Sequence, residues 1–147
     1  MARVKIIFPN QAPLFTCKIP IRITDVNYGN HVGNDALLSI VHEARMQLLT
    51  SWGFSEMDAG GTGLIMADVM IAYKNESFYG DVLEVAVFSD AITAVSFDLL
   101  YRITTRRNEE QKTIAEVKTG MICFDYTARK IAAMQEPLKQ KLKVVGN

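Results

Sequence analysis

Residues 25–34 gather one carboxylate (Asp25), three carboxamides (Asn27, Asn30 and Asn34), one imidazole (His31) and two glycines (Gly29 and Gly33). The run stands between an alternating segment and a helical one, where side chains and backbone N–H groups converge. The opening turn of a helix has unpaired N–H groups and the positive end of the helix dipole, which together stabilise an oxyanion. N–H groups near Gly33 and Asn34 are therefore candidates to polarise a carbonyl. The same dipole disfavours imidazolium, so His31 is held neutral and suited to act as a base toward water. Asp25 either orients that base or caps the turn, and Asn27 orients water or a carbonyl or only satisfies the turn. Asn34 reads most simply as the helix N-cap. Glu43 and Arg45, in His42-Glu43-Ala44-Arg45, read from the residues alone as a solvated pair;.

Several elements must position these groups. Phe15, Cys17, Ile19, Ile21 and Ile23 alternate with polar residues, the period of a half-buried strand;. Pro20 lacks a ladder donor and assigns that strand to an edge or a bulge. Leu37, Ile40, Val41, Ala44 and Leu48 form one helical stripe, predicting a helix over 34–52 with Gly53 at its C-terminal end. Strands are expected over 64–73, 81–90, 96–105 and 113–126, with a polar loop at 106–111 and a short closing segment from Pro137. Five strands and one long helix imply an α+β domain spanning residues 1–147, a curved antiparallel sheet wrapped on a central helix. Such a sheet leaves an edge unpaired. With 49% hydrophobic residues, the expectation is a homodimer or a dimer of dimers;.

Bulk properties narrow the function. Sixteen basic and sixteen acidic residues cancel, which argues against nucleic acid as a partner;. The apolar run Ile6-Ile7-Phe8 stops at Pro9, too short for a leader core or a membrane span, so a cytoplasmic location is expected without a membrane partner. Cys17 and Cys123, lacking CxxC spacing, read as buried thiols of a reducing compartment. Two histidines do not make a metal cluster, and no motif asks for a cofactor;. Gly60-Gly61-Thr62-Gly63 precedes a strand and reads as a turn rather than a phosphate cradle. Asp68 interrupts an apolar strand and needs a partner. Arg102, Arg106, Arg107, Lys112 and Lys118 surround one hairpin, either as a solvated face or as cations for phosphates.

The strand, the turn Asp25 through Asn34, the helix with Glu43-Ala44-Arg45, the segment Tyr73-Lys74-Asn75-Glu76-Ser77-Phe78-Tyr79-Gly80-Asp81 and the turn Asp125-Tyr126-Thr127-Ala128-Arg129-Lys130 together carry a resemblance. From about residue 15 to 141 the chain resembles the 4-hydroxybenzoyl-CoA thioesterase-like branch of the hot-dog fold. That family usually reads D-x-D-x-x-G-H-V-N-N. Asp25, His31 and Asn34 match it, whereas Asn27 replaces the acid that serves as nucleophile or base, and Gly33 replaces an Asn. The resemblance implies hydrolysis of an acyl-CoA or acyl-carrier-protein thioester, with the helix N–H groups as oxyanion hole. With an amide at position 27, it implies an attacking water activated by His31 or Glu43, with Asp25 as orienter. Plant acyl-carrier-protein thioesterases resemble the turn too, and place an acid where Glu76 stands here. Arg102, Arg106 and Lys118 become candidates for coenzyme A phosphates. Two rival readings remain: a hot-dog enoyl-CoA hydratase, whose D-x-N-P-x-H pattern Asp25, Asn27 and His31 echo, and an acyl-CoA-binding protein without turnover.

Overall fold

The computed structural model describes residues 1–143. Helix α1 (Asn34–Ser51) forms where apolar side chains recur every three or four residues, and that stripe goes inside. Leu37, Ile40, Val41, Ala44 and Leu48 are each 2% exposed or less;. Trp52 caps its C-terminal end, and Gly53 follows at φ 77°, a left-handed conformation that costs glycine little;.

The helix is wrapped by β1 (Phe15–Pro20), β2 (Gly63–Tyr73), β3 (Val82–Asp90), β4 (Ser96–Arg107) and β5 (Glu110–Asp125), with the short β6 (Lys130–Ile131) beside β5. All pairings are antiparallel, in the order β1-β3-β4-β5-β2. Val85, Tyr101, Ile103, Val117 and Met121 point inward and are fully buried. On the outer face, Phe8 of the N-terminal arm meets Phe88 edge-on at 5.2 Å, and the Arg102 guanidinium stacks 4.0 Å over Phe8. Helix α2 (Glu136–Lys143) buries Leu138 and Leu142. The expected α+β hot-dog architecture is present.

Three boundaries differ from expectation. β1 stops at Pro20, because the chain turns through a 3-10 segment, Ile23–Asp25, and leaves Ile23 71% exposed. The polar stretch 106–111 is mostly strand: Arg106 pairs with Gln111 and Arg107 with Glu110, leaving only Asn108 and Glu109 as the turn. Both have positive φ (52° and 64°), the pattern of a tight hairpin turn;. Hydrophobic periodicity cannot detect strand ends whose side chains both face water. The third is β6, which was not expected.

The sheet has edges at β1 and β2. Pro20 sits on the first, as expected. The second exposes Met66, Val69, Met70 and Tyr73 by 38–47%. Among the described residues no helix is long and apolar enough to cross a membrane.

Candidate active site

The turn before α1 is held as a small hairpin. Val26 and Val32 form an isolated bridge, and the Asn27 and Asn30 N–H groups donate to the carbonyls of His31 and Asn27 at 3.0 Å each. The Val32 N–H donates to the Ser77 carbonyl (2.8 Å), and His31 bridges Phe78, so the turn is sewn to the segment after β2. The Gly33 N–H donates to the Asp25 carbonyl (3.1 Å) and is unavailable for an oxyanion. These bonds keep Gly33 extended (φ −70°, ψ 152°), and helical geometry begins one residue later. Gly33 is therefore the N-cap, and Asn34, expected there, is the first helical residue. No side chain caps α1, which leaves the N–H groups of its opening turn directed out of the helix end;.

That end opens into a cleft of about 260 Å³ lined by His31, Gly33, Asn34, Tyr73, Lys74, Asn75, Glu76 and Ser77 over a floor of Val32, Leu37 and Ile114. Glu76 is the carboxylate of this lining. The His31 Nδ1 lies 3.2 Å from the Val32 carbonyl. A proton on Nδ1 satisfies that oxygen and leaves Nε2 as the basic lone pair. Gly29 lies against it: a Cβ there would stand 3.1 Å from the imidazole, so a larger residue would push the ring by a few tenths of an ångström. The Tyr73 hydroxyl donates to the Asn34 carbonyl (3.2 Å), joining the end of β2 to the head of α1. Arg107 donates to the Glu76 carbonyl (2.7 Å) and pairs with Asp81 (3.1 Å), while Asp81 accepts the Phe78 N–H (2.9 Å). The segment carrying Glu76 is thus fixed from behind.

The cleft brings together His31, Gly33, Asn34 and Glu76 but not the other residues singled out in the sequence. The Asp25 carboxylate is 5% exposed and accepts the Arg22 N–H (2.8 Å) and guanidinium (3.4 Å), holding the 3-10 turn. Asn27 is exposed and accepts the Gly29 N–H at 2.9 Å, a local turn contact;. Glu43 is exposed on α1, bonded to Gln47 (2.8 Å); burial first, and then the charge of Glu43, push the Cys17 thiol up from its ordinary value.

The hairpin cations do not form one patch. Arg102 faces Glu116 at 3.7 Å beneath Phe8, and Lys118 pairs with Asp68 at 2.8 Å. Arg106 is exposed, donating to the Glu109 carbonyl (3.1 Å). Asp68 is exposed rather than buried and also accepts the Gly120 N–H.

Sequence reasoning missed a polar network. Arg45 is buried and does not pair with Glu43. Its Nε donates to Glu56 (3.1 Å), whose other oxygen is 2.7 Å from His42 Nε2. Arg45 Nη1 reaches the Tyr101 hydroxyl (3.4 Å), which meets the Thr119 hydroxyl at 2.9 Å. A signal existed: Arg45 lies four residues after Val41, on the buried side of the stripe, where a charge requires a partner.

Comparison with known proteins agrees with this geometry. The thioesterase-like superfamily profile matches residues 21–142. The long-chain acyl-CoA thioesterase FadM of Escherichia coli (strain K12) is 24% identical over 127 residues, covering 86% of this chain and 95% of that protein. Slr0204 of Synechocystis, a 1,4-dihydroxy-2-naphthoyl-CoA thioesterase, superposes with a TM-score of 0.77 at 22% identity over 87% of this chain and 94% of its own. SAV2348 of Staphylococcus aureus, solved in complex with CoA, superposes with a TM-score of 0.77 at 16% identity, covering 95% of this chain and 85% of that one. An uncapped helix opening onto an imidazole and a carboxylate, on this sheet and with this family match, places the chain: it belongs to the thioesterase-like superfamily and is a thioester hydrolase.

Proposed function

We propose that the protein hydrolyses acyl-CoA thioesters by direct attack of water in the cleft at the head of α1. The observation that carries this is the uncapped first turn of α1 opening between His31 and Glu76. The thioester carbonyl oxygen points at the N–H groups of Asn34, Asp35 and Ala36 and gathers negative charge as water adds to its carbon. His31 takes the proton of that water at Nε2, and Glu76 orients the pair. Collapse of the tetrahedral intermediate breaks the C–S bond. The thiolate leaves and regains the proton, giving free acid and coenzyme A. Asp25 acts from behind, by holding the turn in register. Among the hairpin cations Arg106 is exposed and bonded to a carbonyl rather than a carboxylate, which leaves its charge to meet a phosphate.

The working unit in this reading is a homodimer joined along β2. Met66, Val69, Met70 and Tyr73 leave an apolar edge strand exposed, which proteins cover by pairing;. Two unpaired cysteines agree with a reducing compartment, the cytoplasm;.

Thiol release from a panel of acyl-CoAs tests the activity. Free coenzyme A is expected with at least one of them. Water addition across an acyl double bond without thiol release would favour the hydratase, and binding without any product the non-hydrolysing alternative. Sedimentation at micromolar concentration tests the assembly, with a monomer the adverse result.

A further inference from the structure

His31 and Glu76 reach the cleft from two segments outside the long strands, the turn before α1 and residues 74–81 between β2 and β3. No ladder or helix fixes either segment, so the two side chains stand where a few tertiary bonds put them. The segments are stitched to each other by the Val32 N–H on the Ser77 carbonyl and by the bridge between His31 and Phe78. Residues 74–81 are also tied near both ends. Asn75 Nδ2 donates to the Thr113 carbonyl (2.7 Å), and the Asp81 carbonyl accepts the Ile21 N–H (3.0 Å). Between those ties the stretch is gripped by Arg107, the last residue of β4.

Its guanidinium makes three hydrogen bonds there. Nη2 donates to the Glu76 carbonyl (2.7 Å) and to Asp81 Oδ2 (3.1 Å), and Nε donates to Asp81 Oδ1 (3.2 Å). Asp81 hands the tie on by accepting the Phe78 N–H (2.9 Å), and the guanidinium carbon lies 5.0 Å over the Phe78 ring. One planar group therefore fixes residues 76 and 78, on either side of the Ser77 carbonyl that receives Val32. The Asp81 side chain is 9% exposed and that of Arg107 27%, so the two-point contact is partly shielded from water;. Lysine carries the charge but not the fork, and cannot hold a carboxylate edge and a carbonyl in one geometry. The hairpin itself does not depend on this side chain, because Arg107 pairs with Glu110 through its backbone. Nor does Arg107 line the cleft.

Resting on the thioesterase reading, in which His31 is the base and Glu76 its orienter, we propose that Arg107 is a positioning residue of the reaction. It acts through Glu76, by setting the backbone that carries this carboxylate against the His31 turn. Its charge is spent on that brace, which removes Arg107 from the hairpin cations open to a substrate phosphate.

The test uses the full chain with Arg107→Lys, Arg107→Ala, Glu76→Gln and the double variant Glu76→Gln/Arg107→Lys, and reads kcat and KM for acyl-CoA. Arg107→Lys is expected to lower kcat by about 10- to 100-fold, the cost of a displaced reacting group, with KM held within about twofold. In the Glu76→Gln background the same replacement should cost at least several-fold less, because residues that act as a unit are not additive. An equal loss in both backgrounds overturns the proposal, as does wild-type kcat in Arg107→Ala. A raised KM with kcat intact would make Arg107 a substrate contact and overturn it too. Amide hydrogen exchange supplies a readout that needs no turnover. The Val32 and Phe78 amides should exchange at least about tenfold faster in Arg107→Lys, while those of β4 keep their protection. Unchanged exchange at both amides would overturn the brace. Absence of thiol release from every acyl-CoA would sink the thioesterase reading alone, since exchange still judges the brace.

Discussion

The two halves of α1 treat polar groups in opposite ways. At its middle, Arg45, Glu56, Tyr101 and Thr119 are interior or nearly so, and each has a partner at 2.7–3.4 Å. At its head, Gly33 supplies no cap, the first-turn amides face a cleft, and His31 and Glu76 stand beside them with side-chain atoms to spare. A buried polar group left unpaired is costly, so the core network has its partners built in. The head escapes that cost by facing solvent, and its open hydrogen-bonding capacity is what a substrate can use. Completeness marks the structural site, and incompleteness is what singles out the head of α1 as the proposed functional one.

The strongest way to break the comparison is at the head. His31→Ala should lower kcat by about 100- to 10,000-fold, the usual worth of a general base, with the urea midpoint unchanged. Wild-type turnover would remove His31 from the mechanism and leave Glu76 as the base to test. In the middle the outcome should reverse. Arg45→Ala strands a carboxylate and a phenol, and should cost about 3 kcal/mol of stability by urea unfolding while the KM of the folded enzyme holds.

A subtler contrast lies in pH. Burial opposes ionisation of Glu56, but the His42 hydrogen bond and the Arg45 charge outweigh it and hold its carboxyl below the ordinary value. A group whose folded pKa is depressed contributes stability above its unfolded pKa, about 4.3 for Glu, and loses it as pH falls through the folded value. The stability advantage of wild type over Glu56→Gln should therefore be level near neutrality and shrink in acid below that point. A gap constant down to low pH would mean that Glu56 is not ionised in the fold.

The smallest effect is expected at the surface. Lys118→Ala breaks an exposed pair with Asp68 and should cost under about 1 kcal/mol, with KM for acyl-CoA unchanged;. A raised KM would return Lys118 to the substrate phosphates, where the sequence had made it a candidate.

Periodicity and turn chemistry, both local properties of the chain, determined the stripe Leu37 to Leu48, the restriction of the Pro20 strand to an edge or a bulge, the strand order in sequence and the polar turn that became the cleft rim. Glu76 was added to His31, Gly33 and Asn34 by the family resemblance and not by either of these local properties. What they could not determine was which carboxylate faces which cation. Asp25, Asn27 and Glu43 had the right residue types, but only the fold shows Asp25 under Arg22, Asn27 on its own turn and Glu43 on an exposed helix face. Arg45 and Glu56, eleven residues apart, meet because the loop after α1 folds back along it, and Lys118 meets Asp68 because β5 lies beside β2. Backbone periodicity follows from contacts a few residues long and is written along the chain. The pairing of charges across strands depends on register and on which side of a sheet each residue faces, and those are decided only when the sheet closes on the helix.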